Sequence, residues 1–127
     1  MRKKLVKALH DAGARLLLGT DCGNPFVVPG FSVHLELRNF VDAGLSPFEA
    51  IRAGTSGAAE FMNAGAEFGT VAKGSRADLI LVEGNPLEDV SNVDKRAGVM
   101  IRGKWYSQAE LQSRLEKLTT RFRPDSQ

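Results

Sequence analysis

A short apolar run, residues 16–18, leads through Gly-Thr directly to the carboxylate of Asp21. A helix is predicted before it over residues 2–12, with Gly13 suited to its C-terminal cap. A continuous apolar run bounded by turn residues is typical of a strand buried on both faces of a parallel sheet. The pattern therefore predicts a strand over residues 16–20 that presents Asp21 at its C-terminal end.

Helical spacing of apolar residues returns after the Gly- and Pro-rich loop, and it predicts a second helix over residues 32–41. Ser46, followed by Pro and then by Glu49, has the pattern of a capping box for a short third helix. Thr55 is predicted to cap a fourth helix. The small residues between these helices indicate close helix packing rather than chemistry.

The hydrophobic period changes after Gly65, where short strand-like runs alternate with turn residues. These runs predict a small, mostly antiparallel β unit. Its strands are expected at residues 69–72, 77–82, 97–101 and 104–106. Ser107 and Glu110 then form a second predicted capping box, which opens a terminal helix. The tail from Pro124 is predicted to be disordered.

Composition and charge exclude several function classes. The chain has 127 residues, of which 43% are hydrophobic and 25% charged, as in ordinary globular proteins. A net charge of +2 is too small to indicate nucleic acid or an anionic membrane as a partner. The single cysteine cannot form an internal disulfide, and no stretch approaches the ~20 apolar residues of a membrane span. We expect a cytoplasmic protein with no nucleic-acid or membrane partner.

Asp21 is the first candidate for chemistry, because α/β enzymes place catalytic groups at the C-terminal ends of parallel strands. The alternative is that Asp21 only caps the following turn by accepting nearby backbone N–H groups. The loop over residues 22–32 contains Phe26 and other apolar residues. Such a loop lines a pocket in many enzymes, or else packs beneath itself.

Several motifs in order resemble the C-terminal end of the amidohydrolase superfamily, most closely its imidazolonepropionase-like and Xaa-Pro dipeptidase-like branch. The motifs are Leu-Leu-Leu-Gly-Thr-Asp, Ser-Pro-Phe-Glu-Ala-Ile-Arg-Ala-Gly-Thr, and Gly-Thr-Val-Ala-Lys-Gly-Ser-Arg-Ala-Asp-Leu-Ile-Leu-Val-Glu-Gly-Asn-Pro-Leu. They span roughly residues 5–106, and their order and spacing are more specific than any one of them.

The resemblance implies an α/β fold class. Residues 1–65 would hold the last strand and helices of a metal-dependent (β/α)₈ hydrolase barrel, with the eighth strand at residues 16–20. Residues 66–106 would form the C-terminal half of a small β-sandwich, followed by a terminal helix at 107–123 and a tail at 124–127. A complete barrel typically needs ~250 residues, so the chain would correspond to about the last third of such an enzyme.

The same resemblance implies a function and a site. The activity would be hydrolysis of an amide, cyclic amide or peptide C–N bond in a small-molecule or dipeptide substrate. Asp21 would be the catalytic aspartate, serving as metal ligand and general base, with a divalent metal, zinc by preference, in the complete enzyme. Asn24, Phe26 and His34 would contact the substrate.

The family's other metal ligands have no counterpart here. The chain contains two histidines, His10 and His34, and no His-x-His pair. His10 lies on the predicted first helix, away from the strand end, and Cys22 is expected to be a buried, inert thiol on the opposite face from Asp21. We therefore expect this chain alone to bind no catalytic metal and to be inactive. Its partner would be a second copy or the missing N-terminal part.

Two other hypotheses stay open. The chain could be a free-standing, non-catalytic module that self-associates through apolar strand edges. It could also bind nucleic acid through the basic terminal helix, which the small net charge disfavours.

Overall fold

The computed structural model describes residues 2–122. In the first half of the chain it has helices α1 (Arg2–Asp11), α2 (Ser32–Ala43), α3 (Pro47–Ala53) and α4 (Ser56–Phe61). The second half has strands β1 (Leu79–Val82), β2 (Arg96–Ile101) and β3 (Lys104–Ser107), with a 3₁₀ helix at Val90–Asp94 before β2 and helix α5 (Gln108–Arg121) after β3. The helices predicted from apolar spacing are confirmed. The tail predicted from Pro124 lies outside the described residues.

The capping box predicted at the start of α3 is confirmed, with both of its reciprocal hydrogen bonds present. The Glu49 backbone N–H donates to Ser46 Oγ at 3.3 Å, and the Ser46 backbone N–H donates to Glu49 Oε2 at 2.7 Å. The box predicted at Ser107 forms only in part. Ser107 Oγ accepts the Glu110 N–H at 3.3 Å, whereas the Glu110 carboxylate pairs with Arg114 one helical turn on, at 2.9 Å.

The cap predicted at Thr55 is wrong. Its hydroxyl donates to the Ile51 carbonyl at 2.8 Å, so it is directed back at α3 and gives α4 no side-chain cap. A threonine hydroxyl can satisfy a carbonyl one turn behind it as readily as an N–H ahead of it. The helix itself still begins at Ser56, as a continuation of the packed α3–α4 pair.

A small core joins the helices to the second half of the chain. Leu37 of α2, Ala50 of α3 and Val90 of the 3₁₀ helix are buried together. Partly buried apolar residues pack around them, namely Leu18, Phe40, Val41, Ile51 and Val93. Ala50 and Ala59 have no exposed surface at all, as the small residues between the helices predicted.

The three strands form one antiparallel sheet in the order β1-β2-β3, which confirms the predicted antiparallel β unit. Arg102 and Gly103 connect β2 to β3 with positive φ angles of 49° and 80°, the backbone of a tight hairpin turn. The strand predicted over residues 69–72 is wrong. Gly69 has φ 93° and packs against α4 at Ala59, so the chain bends there instead of extending.

The strand predicted over residues 16–20 is also absent. Within residues 2–122 no strand lies beside this segment, and its backbone is held by helices instead. The Leu18 N–H donates to the Ala53 carbonyl at the end of α3, at 3.2 Å. The Gly19 N–H donates to the Glu36 side chain of α2. A strand is defined by pairing with a neighbour, and the apolar pattern alone supplies none.

In the part of the chain that the structure describes, every helix is too short or too polar to cross a membrane.

Candidate functional site

Asp21 lies where the chain leaves the helix-bound segment and turns sharply. Its φ of 52° is in the left-handed region, which a non-glycine residue occupies only at some cost, and its side chain is exposed. The Asn24 side-chain amide donates to Asp21 Oδ2 at 2.5 Å and to the Asp21 carbonyl at 3.2 Å. Asn24 therefore fixes both the carboxylate and the backbone of Asp21.

The cap interpretation of Asp21 is not what the structure shows. Among residues 2–122 no backbone N–H is hydrogen-bonded to the Asp21 carboxylate, whose partner is the Asn24 amide. The carbonyl of Asp21, not its side chain, closes the turn, with the Asn24 N–H at 3.5 Å. The carboxylate remains open to solvent and to any group that approaches this face.

Cys22 is exposed, and the prediction of a buried thiol is wrong. Its sulfur lies 2.9 Å from Oγ1 of Thr20, the residue that precedes Asp21. The prediction assumed that side chains alternate as along a regular strand. Thr20 and Cys22 do share a side, as alternation requires, but no neighbouring strand in the described part of the chain covers that side, so the thiol stays exposed.

Phe26 extends from the loop into solvent. Its side chain is fully exposed, at 102% of the reference area, and its φ is 68°. The loop is closed at its far end by the Val28 N–H, which donates to Ser32 Oγ at 2.9 Å at the start of α2. Phe26 does not pack beneath its own loop, so its apolar surface is available to another molecule or to another part of the protein.

Glu36 of α2 is a contact of this loop that the sequence interpretation missed. Its Oε1 accepts the Gly19 N–H at 3.2 Å, two residues before Asp21. Its Oε2 is buried and has no hydrogen-bond partner among the described residues. A signal was present in the sequence. Glu36 lies three residues after Val33 and four before Phe40, so it is an acid on the apolar side of an amphipathic helix.

His34 is located at the junction between α2 and the second half of the chain. Its Nδ1 lies 2.7 Å from Asp94 Oδ1, without the alignment of a hydrogen bond, and its Nε2 accepts from Arg96 Nη1 at 3.0 Å. Burial lowers the pKa of His34 from its usual 6.5; Asp94 opposes that shift, and Arg96 and Arg38 add to it. The neutral imidazole, accepting at Nε2, fits this setting.

His34 also lines a mostly apolar cleft of about 510 Å³ between the helices and β1. Leu18, Leu37 and Ile80 are among its other walls. Within residues 2–122 no hydrogen bond or ion pair joins His34 to Asp21. The structure thus brings Asp21 and Asn24 together, and it places His34 in a separate cleft. His10 pairs with Glu49 instead, at 3.1 Å.

The residues described here do not by themselves fit a catalytic divalent metal. A catalytic zinc normally has three protein ligands. Over residues 2–122 no group of three or more His, Cys, Asp and Glu side chains converges for a metal. Asp21 offers one exposed carboxylate, with its second oxygen already bonded to Asn24. A complete ligand set needs groups from elsewhere.

Residues 1–106 match the amidohydrolase family. Over 78 residues the chain is 40% identical to imidazolonepropionase from Geobacillus sp. (strain WCH70), a match that covers 61% of this chain and 18% of the relative. It is also 40% identical over 89 residues to ochratoxinase from Aspergillus niger, covering 68% of this chain and 18% of the relative. The chain belongs to the amidohydrolase family.

Solved structures agree with that assignment. A Xaa-Pro dipeptidase with bound methionine superposes with a TM-score of 0.74 at 28% identity, covering 83% of this chain and 25% of that protein. A bottromycin amidohydrolase gives a TM-score of 0.73 at 35% identity, covering 91% of this chain and 25% of that protein. The chain therefore spans about a fifth to a quarter of its relatives' length. Its fold is an α/β segment of the kind found in these hydrolases.

Proposed function

We propose that this chain is the C-terminal segment of a metal-dependent amidohydrolase that cleaves amide, cyclic amide or peptide C–N bonds. Residues 1–65 would belong to the (β/α)₈ barrel and residues 66–106 to a partial β-sandwich. Membership of the family favours an enzyme over a free-standing module. One relative is named as a dipeptidase and another as an amidohydrolase, which supports a small amide or dipeptide as the substrate class.

Asp21 is the residue on which this proposal depends. Its exposed carboxylate stands on a strained backbone and is held by the Asn24 amide, so its position is fixed before any substrate arrives. We assign it two roles, metal ligand and general base. As base, Asp21 takes a proton from the attacking water and passes it to the leaving nitrogen.

The divalent metal, for which zinc is our proposal, would lower the pKa of that water when bound. Its remaining ligands would come from parts of the enzyme beyond residues 2–122.

Asn24, Phe26 and His34 are the proposed substrate contacts. Phe26 offers a fully exposed ring on the loop beside Asp21. Asn24 is next to the carboxylate, and its side-chain oxygen is left to accept a hydrogen bond from the substrate, since its amide nitrogen already donates twice to Asp21. His34 would contribute through its ring in the apolar cleft, since Arg96 donates to Nε2 and Asp94 lies against Nδ1.

The test is Asp21→Asn in the complete hydrolase that contains this segment. Because the amide cannot accept the proton, we expect kcat to fall at least ~10²-fold, the lower bound for general acid–base catalysis. Asp42→Asn is the matched control, since Asp42 is exposed on α2 and pairs with Lys3 away from the loop. Turnover near the wild-type rate in Asp21→Asn would remove Asp21 from the mechanism.

A further inference from the structure

The segment that leads to Asp21 is held at two successive backbone N–H groups. Leu18 donates to the Ala53 carbonyl of α3 at 3.2 Å, a contact between main-chain atoms that any residue there could make. Gly19 donates to Glu36 Oε1 of α2 at 3.2 Å, a contact that depends on one particular side chain. Glu36 of α2 thus holds the backbone ahead of Asp21 through its side chain, from outside the loop.

The burial of Glu36 makes this contact costly. The carboxylate is half-buried on the apolar side of α2, and Oε2 is buried with no partner among residues 2–122. A buried acceptor left without a hydrogen bond costs roughly 1–3 kcal/mol, and more when it is charged. A leucine at this position would pack on the same face without that cost. General stability therefore does not explain an acid here.

We propose that Glu36 is a positioning residue for Asp21: its carboxylate holds the Gly19 N–H and thereby sets where the chain turns and where the Asp21 side chain emerges. This proposal rests on the proposed function of Asp21. Two residues separate the anchored N–H from Asp21, and Asn24 fixes the carboxylate on the other side. Glu36 and Asn24 together hold the turn at both ends.

The contact can be tested on the chain itself by NMR, without any activity. In the wild-type chain we expect the Gly19 amide proton to shift with pH in step with the Glu36 carboxyl carbon, because the two are hydrogen-bonded. Glu36→Gln keeps an oxygen acceptor but has no ionisable group, so the part of the Gly19 shift that follows the Glu36 carboxyl carbon is lost. Glu83→Gln, on the exposed side of the β unit, is the control and should leave the Gly19 titration unchanged.

The effect on Asp21 is read from the Asn24 side-chain amide, which donates to its carboxylate. In Glu36→Ala we expect the Asn24 amide signals to move away from their wild-type positions, and in Glu36→Gln to return toward them. Wild-type Gly19 that ignores the Glu36 titration would overturn the proposal. So would Asn24 signals that stay at their wild-type positions in Glu36→Ala while the rest of the spectrum shows a folded chain.

In the complete hydrolase, the same Glu36 variants distinguish an effect on the position of Asp21 from an effect on substrate binding. Glu36→Ala should lower kcat by about tenfold or more with KM unchanged, since a catalytic group displaced by about 1 Å can cost 10²-fold. Glu36→Gln should recover most of that loss. An unchanged kcat in Glu36→Ala, in an enzyme that Asp21→Asn inactivates, would refute the role of Glu36. Full activity in Asp21→Asn would instead refute the proposed function and leave the NMR results standing.

Discussion

His34 is a half-buried imidazole held between charges of both signs. Asp94 of the 3₁₀ helix and Arg96 of β2 contact its two nitrogens, and Arg38 of its own helix pairs with the same Asp94 at 2.9 Å. Burial is the largest influence, and it lowers the pKa of His34 below 6.5 in the folded chain. The junction between α2 and the β unit thus depends on the protonation state of one residue.

The folded chain should therefore be less stable in mild acid. The folded pKa of His34 lies below the unfolded value of 6.5, so its contribution to stability is complete above pH 6.5 and is lost as the pH falls through the folded pKa. We expect the free energy of unfolding in urea to fall between pH 7.5 and pH 5.5, and His34→Gln to flatten that dependence. Asn39→Gln, at an exposed and uncharged position on the same helix, is the control and should keep the wild-type slope. Equal slopes in wild type and His34→Gln would contradict the prediction.

Local hydrogen bonding explains which elements the sequence could predict. The start of α3 depends on Ser46 and Glu49, three residues apart, and it was predicted correctly. The strands over residues 16–20 and 69–72 were predicted from apolar content alone and are absent. A strand needs a pairing partner, often one far away in sequence, whereas a capped helix start has its partner within one turn.

In the candidate site too, residues in local contact were singled out from the sequence, and contacts between distant residues were missed. Asp21 and Asn24 are three residues apart and were both singled out from the sequence; their contact is a local one. The bond between Gly19 and Glu36 spans 17 residues and was missed, as was the contact of His34 with Arg96 across 62 residues. Such pairs follow from how α2 packs, which no local pattern specifies.

Removing the cap of α3 tests how much one local hydrogen-bonded motif stabilises the fold. Ser46→Ala deletes the oxygen that accepts the Glu49 N–H and leaves Glu49 Oε2 with only the backbone N–H of the cap. We expect the free energy of unfolding to fall by about 0.5–2 kcal/mol. Ser113→Ala, at an exposed position inside α5, is the control and should change stability little. A loss in Ser113→Ala equal to that in Ser46→Ala would show that the cap is not the cause.

At the scale of the whole molecule, much apolar surface is uncovered. The buried core consists of small and medium side chains, whereas many large apolar side chains are more than half exposed. Among these are Phe31 on the loop, Phe48 and Phe61 on the helices, and Val71 and Ile80 beside the cleft. So many exposed large apolar side chains are more typical of a chain that contacts further protein than of a free monomer.

The isolated chain should therefore self-associate or aggregate. We expect light scattering to give a mass above that of the monomer, falling on dilution, together with binding of a hydrophobic dye. Ile80→Lys, on the exposed face of the edge strand β1, should reduce association because a charge at a strand edge opposes pairing. A monomer that is stable to dilution and binds no dye would contradict this prediction.

The metal content of the isolated chain tests whether the chain alone can build a metal site. With Asp21 as the one proposed ligand in residues 2–122, we expect less than stoichiometric zinc after dialysis and no hydrolysis of dipeptides or cyclic amides by the chain alone. Elemental analysis and an assay panel measure both. Stoichiometric metal together with turnover abolished by Asp21→Ala would mean that the chain builds a complete site.

The exposed thiol of Cys22 makes the loop accessible to selective chemistry. It is the single cysteine of the 127 residues and directly follows Asp21. A maleimide dye would therefore attach at one defined point, where its fluorescence reports on the approach of a ligand to the carboxylate. The same thiol would cross-link two chains in air through a disulfide. Scattering measurements thus need a reductant, or Cys22→Ser, before a dimer is attributed to apolar contacts.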